Sequence, residues 1–596
     1  MFRRQVNQTV LRTAPATVLA ASKAFNSSQS QRIYTSGLPS VRAEYEKHDS
    51  LCKFMYNRWE GYGDKMACIQ YETKQQMTFN QLSGVTNKFA NILYHHGKVR
   101  KGTVVCVKLL DHILYAPISY GILSLGGVLT TTNAIATPET LAYHIEKSGA
   151  ELIICMKMFR QAAEKTAEMI KKSTGKELRI MYMDDFMKME APELPSNYTA
   201  FHEAKPDDVV FLPFSSGTMG SPKAVQLTNR NLTANILQAS RRFEVRPDDC
   251  FLSILPFFHI FGFTVIMSSA LALGATQIIL MKYSADTYLS ALKEYKCTGG
   301  FVAPPIVNSL VQQLRGGKAT KEDFATVDTF LSSSAPLSPE TCRQFNSFVP
   351  HVQLCQGWGM TEMSPAVCVF PRGNKELGPE IAGCLIPDTE LRIVKVDDHQ
   401  QSGEDKSAGI DCEEGEEGEV WVRGPQMMKG YLDEKDNIGT IQDGWYRTGD
   451  IGRFDPKTGA LMITDRLKEL IKYKGFQVSP AALETEVLKH PWVQDCIVVG
   501  VPDPRDVSFE MPRALVVLKP GLTTTEIVNA SDDIYRFTMA NNPPHKRLHA
   551  GVRVVESVPR NATGKLMRRQ ARAAEVEYMK QQEQDHAEPT EASAAA

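Results

Sequence analysis

The sequence has almost no charge of one sign to spare. Sixty-seven lysines and arginines face 68 aspartates and glutamates over 596 residues, for a formal net charge of −1. Such a chain presents no field that would hold a nucleic acid by counterion release, so dedicated nucleic-acid binding is not expected. Its 12 cysteines stand far apart, from Cys52 to Cys496, without a CxxC or CxxH pair, which indicates neither a zinc site nor a disulfide framework. Scattered free thiols act as small buried hydrophobes and suit a reducing compartment. An uninterrupted membrane-spanning run is missing as well. The apolar stretch from Phe251 to Met281 is broken by Pro256, His259, Gly262 and Gly274. It reads as strand (Leu252 to Leu255), loop, buried helix (about Gly262 to Leu273) and strand (Gln277 to Met281). There is no internal repeat.

The first acidic residue is Glu44. Before it stand Arg3, Arg4, Arg12, Lys23, Arg32 and Arg42 among Ser, Thr and Ala, with Phe2, Val6, Val10 and Leu11 on one face of a basic helix. That composition predicts a mitochondrial (matrix) transit peptide over residues 1–43, with Arg32-Ile33-Tyr34-Thr35 as a cleavage context. The bland alternatives are a disordered extension and a cytoplasmic protein. From about Glu577 the chain is Gln/Glu-rich, so 576–596 are expected to form a disordered tail. Its Ala-Ser-Ala-Ala-Ala ending is not a peroxisomal Ser-Lys-Leu.

Between Thr78 and Gly97, Phe79, Leu82, Val85, Phe89, Ile92 and Leu93 keep helical spacing behind a Thr cap, which predicts a helix with one buried face. Short apolar strands recur between helices, at Val104 to Val107, Leu152 to Cys155, Arg179 to Met183, Val209 to Phe214 and Val352 to Leu354. This alternation predicts an α/β architecture with mixed, largely parallel sheets flanked by helices. Lys395 to Glu419, with its acidic cluster, reads as a solvated loop. After Asp465 the pattern becomes a smaller α+β unit, so the expected division is 44–465 for a large domain and 466–575 for a small one.

The strand Val209 to Phe214 runs into Ser215-Ser216-Gly217-Thr218-Met219-Gly220-Ser221-Pro222-Lys223. Small, hydroxylated and glycine residues let backbone N–H groups and hydroxyls close around phosphate oxygens, and a lysine adds a mobile cation. The GxxxxGK spacing of a Walker A loop is absent, and so is GxGxxG.

This loop resembles the phosphate-binding signature of the adenylate-forming superfamily, the acyl-CoA synthetases, 4-coumarate:CoA ligases and firefly-type luciferases. Further segments follow in the family's order: Pro256-Phe257-Phe258-His259-Ile260-Phe261-Gly262, Gln356-Gly357-Trp358-Gly359-Met360-Thr361-Glu362, Gly418 to Gly424, Tyr446-Arg447-Thr448-Gly449-Asp450, Asp465 to Gly475, and Arg560 to Lys565. The match spans about Glu44 to Ala574.

The resemblance implies an ATP-dependent acid:CoA ligase. A carboxylate attacks the α-phosphate of ATP, pyrophosphate leaves, and the acyl-adenylate is passed to the thiol of coenzyme A. It also implies roles. Ser215, Ser216, Gly217, Thr218, Gly220 and Lys223 would cradle phosphate, Thr361 would contact the α-phosphate, and Glu362 would hold Mg²⁺. Trp358, where relatives usually have Tyr, would lie along the adenine within Gln356 to Gly359, with Ala335 and Pro336 on its edge. Asp450 would accept from both ribose hydroxyls, joined by Arg466. Lys565 would be the mobile catalytic lysine of adenylation and His259 would sit near the acyl carboxylate. Lys468 matches a hinge, beyond which Lys472, Lys474 and Gly475 belong to the thioester-forming face.

The pattern also departs from the family. Met219 replaces a second Thr in the phosphate loop, and Ala224 replaces a Gly. Phe261 stands where plant hydroxycinnamate ligases place a Tyr, and the box around Glu419 lacks their Cys. A pocket without that phenolic donor points to an aliphatic or arylalkyl acid over 4-coumarate. The competing readings are 4-coumarate:CoA ligase proper, a luciferase-like oxygenase, an amino-acid adenylation module and, from another class, an inactive nucleotide-binding scaffold.

Overall fold

The structure, a computed structural model, describes residues 31–198, 203–215, 221–396, 409–474, 476–503, 506–561 and 564–587. Among them the strands form a fifteen-stranded sheet, an eight-stranded sheet, a two-stranded hairpin and a three-stranded sheet. In the eight-stranded sheet, Val209–Leu212, Val128–Thr131, Val104–Lys108, Leu152–Cys155 and Arg179–Tyr182 lie side by side and parallel. Leu152–Cys155 is buried at every position, as a parallel strand covered on both faces by helices must be.

The larger sheet begins in the same manner, with Thr276–Ile279, Cys250–Ser253, Gly299–Val302, Thr329–Ser332 and Gln353–Gly359 as parallel neighbours. Past Gly359 the pairing turns antiparallel. No α-helix is described between Ala366 and Arg466, and a parallel crossover cannot be made through connections of a few residues. The α/β architecture is therefore as expected, with an antiparallel half that strand–helix alternation did not foretell.

The first amphipathic helix runs Phe79–His95. Thr78 accepts from the Gln81 amide, and the Gln81 side chain accepts from the Thr78 amide, closing a capping box. The apolar stretch folds as strand Cys250–Ser253, a loop, π-helical turns Phe261–Ser268 that continue into Ser269–Leu273, and strand Thr276–Ile279. Among the described residues no helix is long and apolar enough to cross a membrane. The loop folds so tightly onto these turns that a Cβ on Gly262 would stand 2.0 Å from the Pro256 carbonyl oxygen. Only glycine fits there, and this close return carries His259 towards the interior.

Three expectations from composition need correction. Residues 34–43 are not a loose leader. Tyr34–Thr35 pairs with Leu391 and Glu390 at the sheet edge, the Tyr34 ring lies 4.5 Å from Phe454, and Val41 is buried. The polar segment from Glu577 continues the helix Arg568–Ala587, in which Ala571 is buried and Val576 and Met579 pack on the core, apolar contacts hidden among Glu and Gln. Of the acidic loop, residues 397–408 lie outside the described residues and Glu413 to Glu417 are exposed. Glu419, however, is buried on the strand Gly418–Arg423, because the Trp421 indole donates to it at 2.8 Å and Arg447 pairs with it at 3.3 Å.

The apolar interior divides into a large core drawn from Val41 to Leu461 and a smaller one drawn from Ile471 to Ala571. All twelve cysteines are free and eleven are buried. The edge strand gives a testable consequence. Protein beginning at Arg42 loses the buried Val41 and the Tyr34 contact, and is expected to be less stable than protein beginning at Gln31 by about 2–4 kcal/mol. A scan of apparent unfolding temperature checks this, and equal temperatures would show that the strap contributes nothing.

Candidate active site

A cavity of about 1060 Å³ opens where the two cores face each other. Its floor is the end of the strand Gln353–Gly359, with Gly357, Trp358 and Gly359, followed by the turn Thr361–Met363. His259 and Phe261 enter from the tight loop, Ser215 and Lys223 from the phosphate-loop flanks, and Lys468, Lys472 and Lys565 from the smaller unit. Residues more than three hundred positions apart thus converge on one space.

Its carboxylates are held rigidly. Glu362 is buried and its Oε1 accepts from the Tyr431 hydroxyl at 2.7 Å, while its carbonyl accepts from the Met428 amide at 2.8 Å. Asp450 sits opposite Arg466 in the antiparallel ladder, with Arg466 Nε 2.7 Å from Oδ1. The Trp358 indole N–H donates to Asp450 Oδ2 at 3.0 Å. With 2% of its surface exposed, Asp450 lies behind Trp358 and Arg466 and does not line the cavity. The expected open carboxylate gripping two hydroxyls is, in this structure, hydrogen-bonded at Oδ2 by Trp358 and faced by Arg466 at Oδ1, an oxygen that still lacks a hydrogen bond among the described residues.

The cations differ in how they are balanced. Lys223 Nζ is 3.3 Å from Asp436 and 4.8 Å from the centre of the Tyr431 ring. Among the described residues Lys565 has no carboxylate within ion-pair distance, and it is half-buried. Burial, with Arg466 nearby, brings its ammonium down to about 8, while Asp450, Glu469 and Glu362 pull the other way. Gly564, at φ +85°, lets this loop come so close to the large unit that a Cβ would stand 2.9 Å from Pro305. Burial, reinforced by Lys565, pushes the His259 imidazole down to about 4. Its Nδ1 accepts from the Phe261 amide at 3.3 Å, so the ring is neutral near pH 7 and is suited to positioning and hydrogen bonding.

Several expected residues stand elsewhere. Gln356 points away from the cavity: its Oε1 accepts from the Leu337 amide at 2.8 Å and its Nε2 donates to the Pro379 carbonyl at 2.7 Å. It thereby holds the turn bearing Ala335 and Pro336, of which Ser333 and Ser334, and neither Ala335 nor Pro336, reach the cavity wall. Lys474 is exposed at the tip of the hairpin Ile471–Tyr473 and Phe476–Val478, while Lys472 reaches the cavity margin. Ser216, Gly217, Thr218, Gly220 and Gly475 lie outside the described residues. Sequence reasoning missed Tyr431, which clamps Glu362, and Asp436, which neutralises Lys223. Both lie in a turn-rich segment with no motif to single them out.

Ser215 and Lys223 at the ends of the serine- and glycine-rich segment, a buried carboxylate beside a threonine turn and a lysine delivered by a second unit are the site features of an adenylate-forming enzyme. The AMP-binding enzyme family matches residues 55–432 and the AMP-binding enzyme C-terminal domain matches residues 482–565, and the chain belongs to this family. It is similar to 4-coumarate–CoA ligase 3 of Oryza sativa subsp. japonica, at 31% identity over 557 residues that cover 91% of this chain and 94% of the relative. It is similar also to the peroxisomal OPC-8:0-CoA ligase 1 of Arabidopsis thaliana, at 32% identity over 526 residues covering 86% of this chain and 90% of the relative. The solved o-succinylbenzoate CoA synthetase of Bacillus subtilis, in complex with ATP and magnesium ion, shares the fold with a TM-score of 0.72 at 24% identity, over 87% of this chain and 98% of that one. The chain is accordingly an AMP-forming acid–thiol ligase, using ATP and coenzyme A to convert a small-molecule carboxylic acid into its thioester.

The charge on Lys565 is half lost at about pH 8 and falls further as the pH rises. If Lys565 serves the first half-reaction, that loss limits the step at alkaline pH. kcat/KM for pyrophosphate release, which reports the free enzyme, should therefore fall above about pH 8. Glu469→Gln removes a carboxylate that favours the charged form and should move this limb to lower pH. An alkaline limb that stays put in Glu469→Gln would contradict the assignment.

Proposed function

We propose that the acid is hydrophobic, fatty or arylalkyl, and that the residues gathered in the cavity divide the two half-reactions between them. The observation carrying this reading is the cavity's polarity. Among its lining residues Glu362, beside Thr361, and His259 lie within electrostatic reach of Lys565, while Val265, Leu331 and Val369 share a wall with Phe301, whose ring centroid is 6.0 Å from that of Phe261. An acid would lie with its carboxylate among the first group and its apolar body along the second.

A carboxylate cannot expel oxide, so it must first displace pyrophosphate from ATP, and negative charge gathers at the α-phosphorus as it does so. Preorganised donors and cations placed there supply the largest share of rate acceleration. Lys565, kept charged by three surrounding carboxylates, and the Thr361 hydroxyl are the groups offered to that point. The neutral His259 can orient the acid without competing for its proton. Lys223 and the loop from Ser215 would hold the outer phosphates, and Arg466, with Trp358 and Asp450 behind it, would receive the nucleoside.

Magnesium fits this donor set. Among the described residues no group of three or more His, Cys, Asp and Glu side chains could cage a metal ion. Mg²⁺ keeps waters and binds through one or two carboxylates plus substrate phosphates, and Glu362, fixed by Tyr431, supplies one such carboxylate. The ion would neutralise phosphate charge.

For the second half-reaction, rotation about Lys468 would withdraw Lys565 and bring the Lys472 hairpin face to the acyl-adenylate. Coenzyme A would then attack with its thiol and AMP would leave. The Arg-rich, acid-poor leader supports delivery to the mitochondrial matrix, which localisation of the full chain against one lacking residues 1–30 would test.

Pyrophosphate release should require ATP, Mg²⁺ and an acid, and acyl-CoA should appear only with coenzyme A. A panel of fatty, aryl and arylalkyl acids checks both. Light emission or O₂ uptake would favour the oxygenase, and silence throughout would favour the scaffold. Lys565→Ala should slow adenylation by on the order of 10²–10³-fold, whereas Lys472→Ala should spare adenylation and slow thioester formation. Equal loss of both half-reactions in Lys472→Ala would sink that division.

A further inference from the structure

Behind the apolar wall of the main cavity lies a second, small chamber of about 10 Å³, room for one water-sized group. Val265, Leu331 and Val369 line both spaces and are the partition between them. On the far side Phe243 and Phe301, with ring centroids 5.9 Å apart, make the chamber's aromatic wall.

Two serines interrupt its apolar lining, and of these Ser269 spends its hydroxyl on the Thr264 carbonyl. Ser240, on the helix Asn229–Phe243, is 5% exposed, and its hydroxyl is buried without a hydrogen-bond partner. A helical Ser or Thr ordinarily returns its hydroxyl to the carbonyl four residues back. Thr86, Ser148 and Thr166 do so here, at 2.6, 2.7 and 2.7 Å. Ser240 does not, and an unmade buried hydrogen bond costs about 1–3 kcal/mol.

The partition sits on the element best able to yield. Val265 lies in the π-helical turns Phe261–Ser268, whose Phe263 and Thr264 carbonyls accept from the Ser268 and Ser269 hydroxyls at 2.6 and 3.1 Å. Such i→i+5 turns widen a helix and recur at functional sites. Val265 is thus carried on a widened turn between two apolar spaces.

We propose that the chamber is a distal subsite for the acid. The far end of the acid's body passes Val265, Leu331 and Val369, and a hydroxyl or oxo oxygen at that end accepts a hydrogen bond from Ser240. The preferred substrates are therefore hydrophobic acids oxygenated at the end remote from the carboxylate. This rests on the hydrophobic-acid reading of the main cavity, and it supplies the polar contact that Phe261 cannot.

The test uses the full chain and matched acids: straight-chain acids from hexanoic to dodecanoic with their ω-hydroxy and ω-oxo derivatives, and phenylpropanoic acid with its para-hydroxy derivative. At the chain length that reaches the chamber, the wild-type protein should favour the oxygenated member in kcat/KM by roughly 2- to 12-fold, the worth of one neutral hydrogen bond. The gain should appear in the KM of the acid. Ser240→Ala should bring the ratio to about one. Val265→Phe, which fills the passage without touching Ser240, should do the same. Equal kcat/KM within every wild-type pair would overturn the proposal, as would a preference that survives Ser240→Ala. Pyrophosphate release with none of these acids would instead bring down the hydrophobic-acid reading beneath it.

Discussion

A lysine withdrawn from water stays charged only if carboxylates around it are held in place, and much of this structure can be understood from Lys565. Its carboxylates come from distant parts of the chain. Asp450 is fixed in the antiparallel ladder by Arg466 and by the Trp358 indole, and Glu362 is fixed by Tyr431. Glu469 pairs with Arg568 at 2.9 Å on the small unit's own helix. None of these groups touches Lys565 in a short ion pair. The ammonium is balanced by a field from several sides, which leaves it available to a new anion, while burial and Arg466 bring its proton affinity down. A single close carboxylate would have occupied the ammonium and raised its proton affinity.

The same arrangement explains why the lysine arrives on a separate unit. The cores from Val41 to Leu461 and from Ile471 to Ala571 are distinct, and the chain between them is a turn in which the Glu469 amide donates to the Arg466 carbonyl at 3.0 Å. The Arg568, Glu469 and Glu484 cluster starts in that turn and runs into the small unit. Gly564 meets the Pro305 ring of the large unit, the helix Pro480–Val487 packs on the strand Ala460–Arg466, and Ser479 is hydrogen-bonded to Asp465.

Much of this was legible in the sequence because each motif joins local geometry to one chemical group. The Thr cap before Phe79, the breaks in the apolar run after Phe251 and the strand preceding Ser215 are local signals, and the elements they delimit stand where they were expected. The failures were contacts across distance. Nothing near Gln356 shows that its amide is spent on Leu337 and Pro379. Nothing near Glu577 shows that Val576 and Met579 find a core, nor does the composition around Arg42 show that Tyr34 completes a sheet edge. Composition reports what a segment could do in water, whereas pairing with a distant partner is decided by the finished fold.

Trp358 shows how a departure from the family's usual residue can be absorbed. A tyrosine there would present a hydroxyl that donates or accepts, while an indole can only donate. Donation requires an acceptor in reach, and the acceptor is Asp450 at 3.0 Å. The indole therefore adds a second constraint to a carboxylate that Arg466 already holds from the other oxygen. Its side chain remains on the cavity wall beside Gly357 and Gly359. Asp450 in turn favours the charged form of Lys565, so a carboxylate that the cavity floor holds by one oxygen acts on a lysine of the other unit.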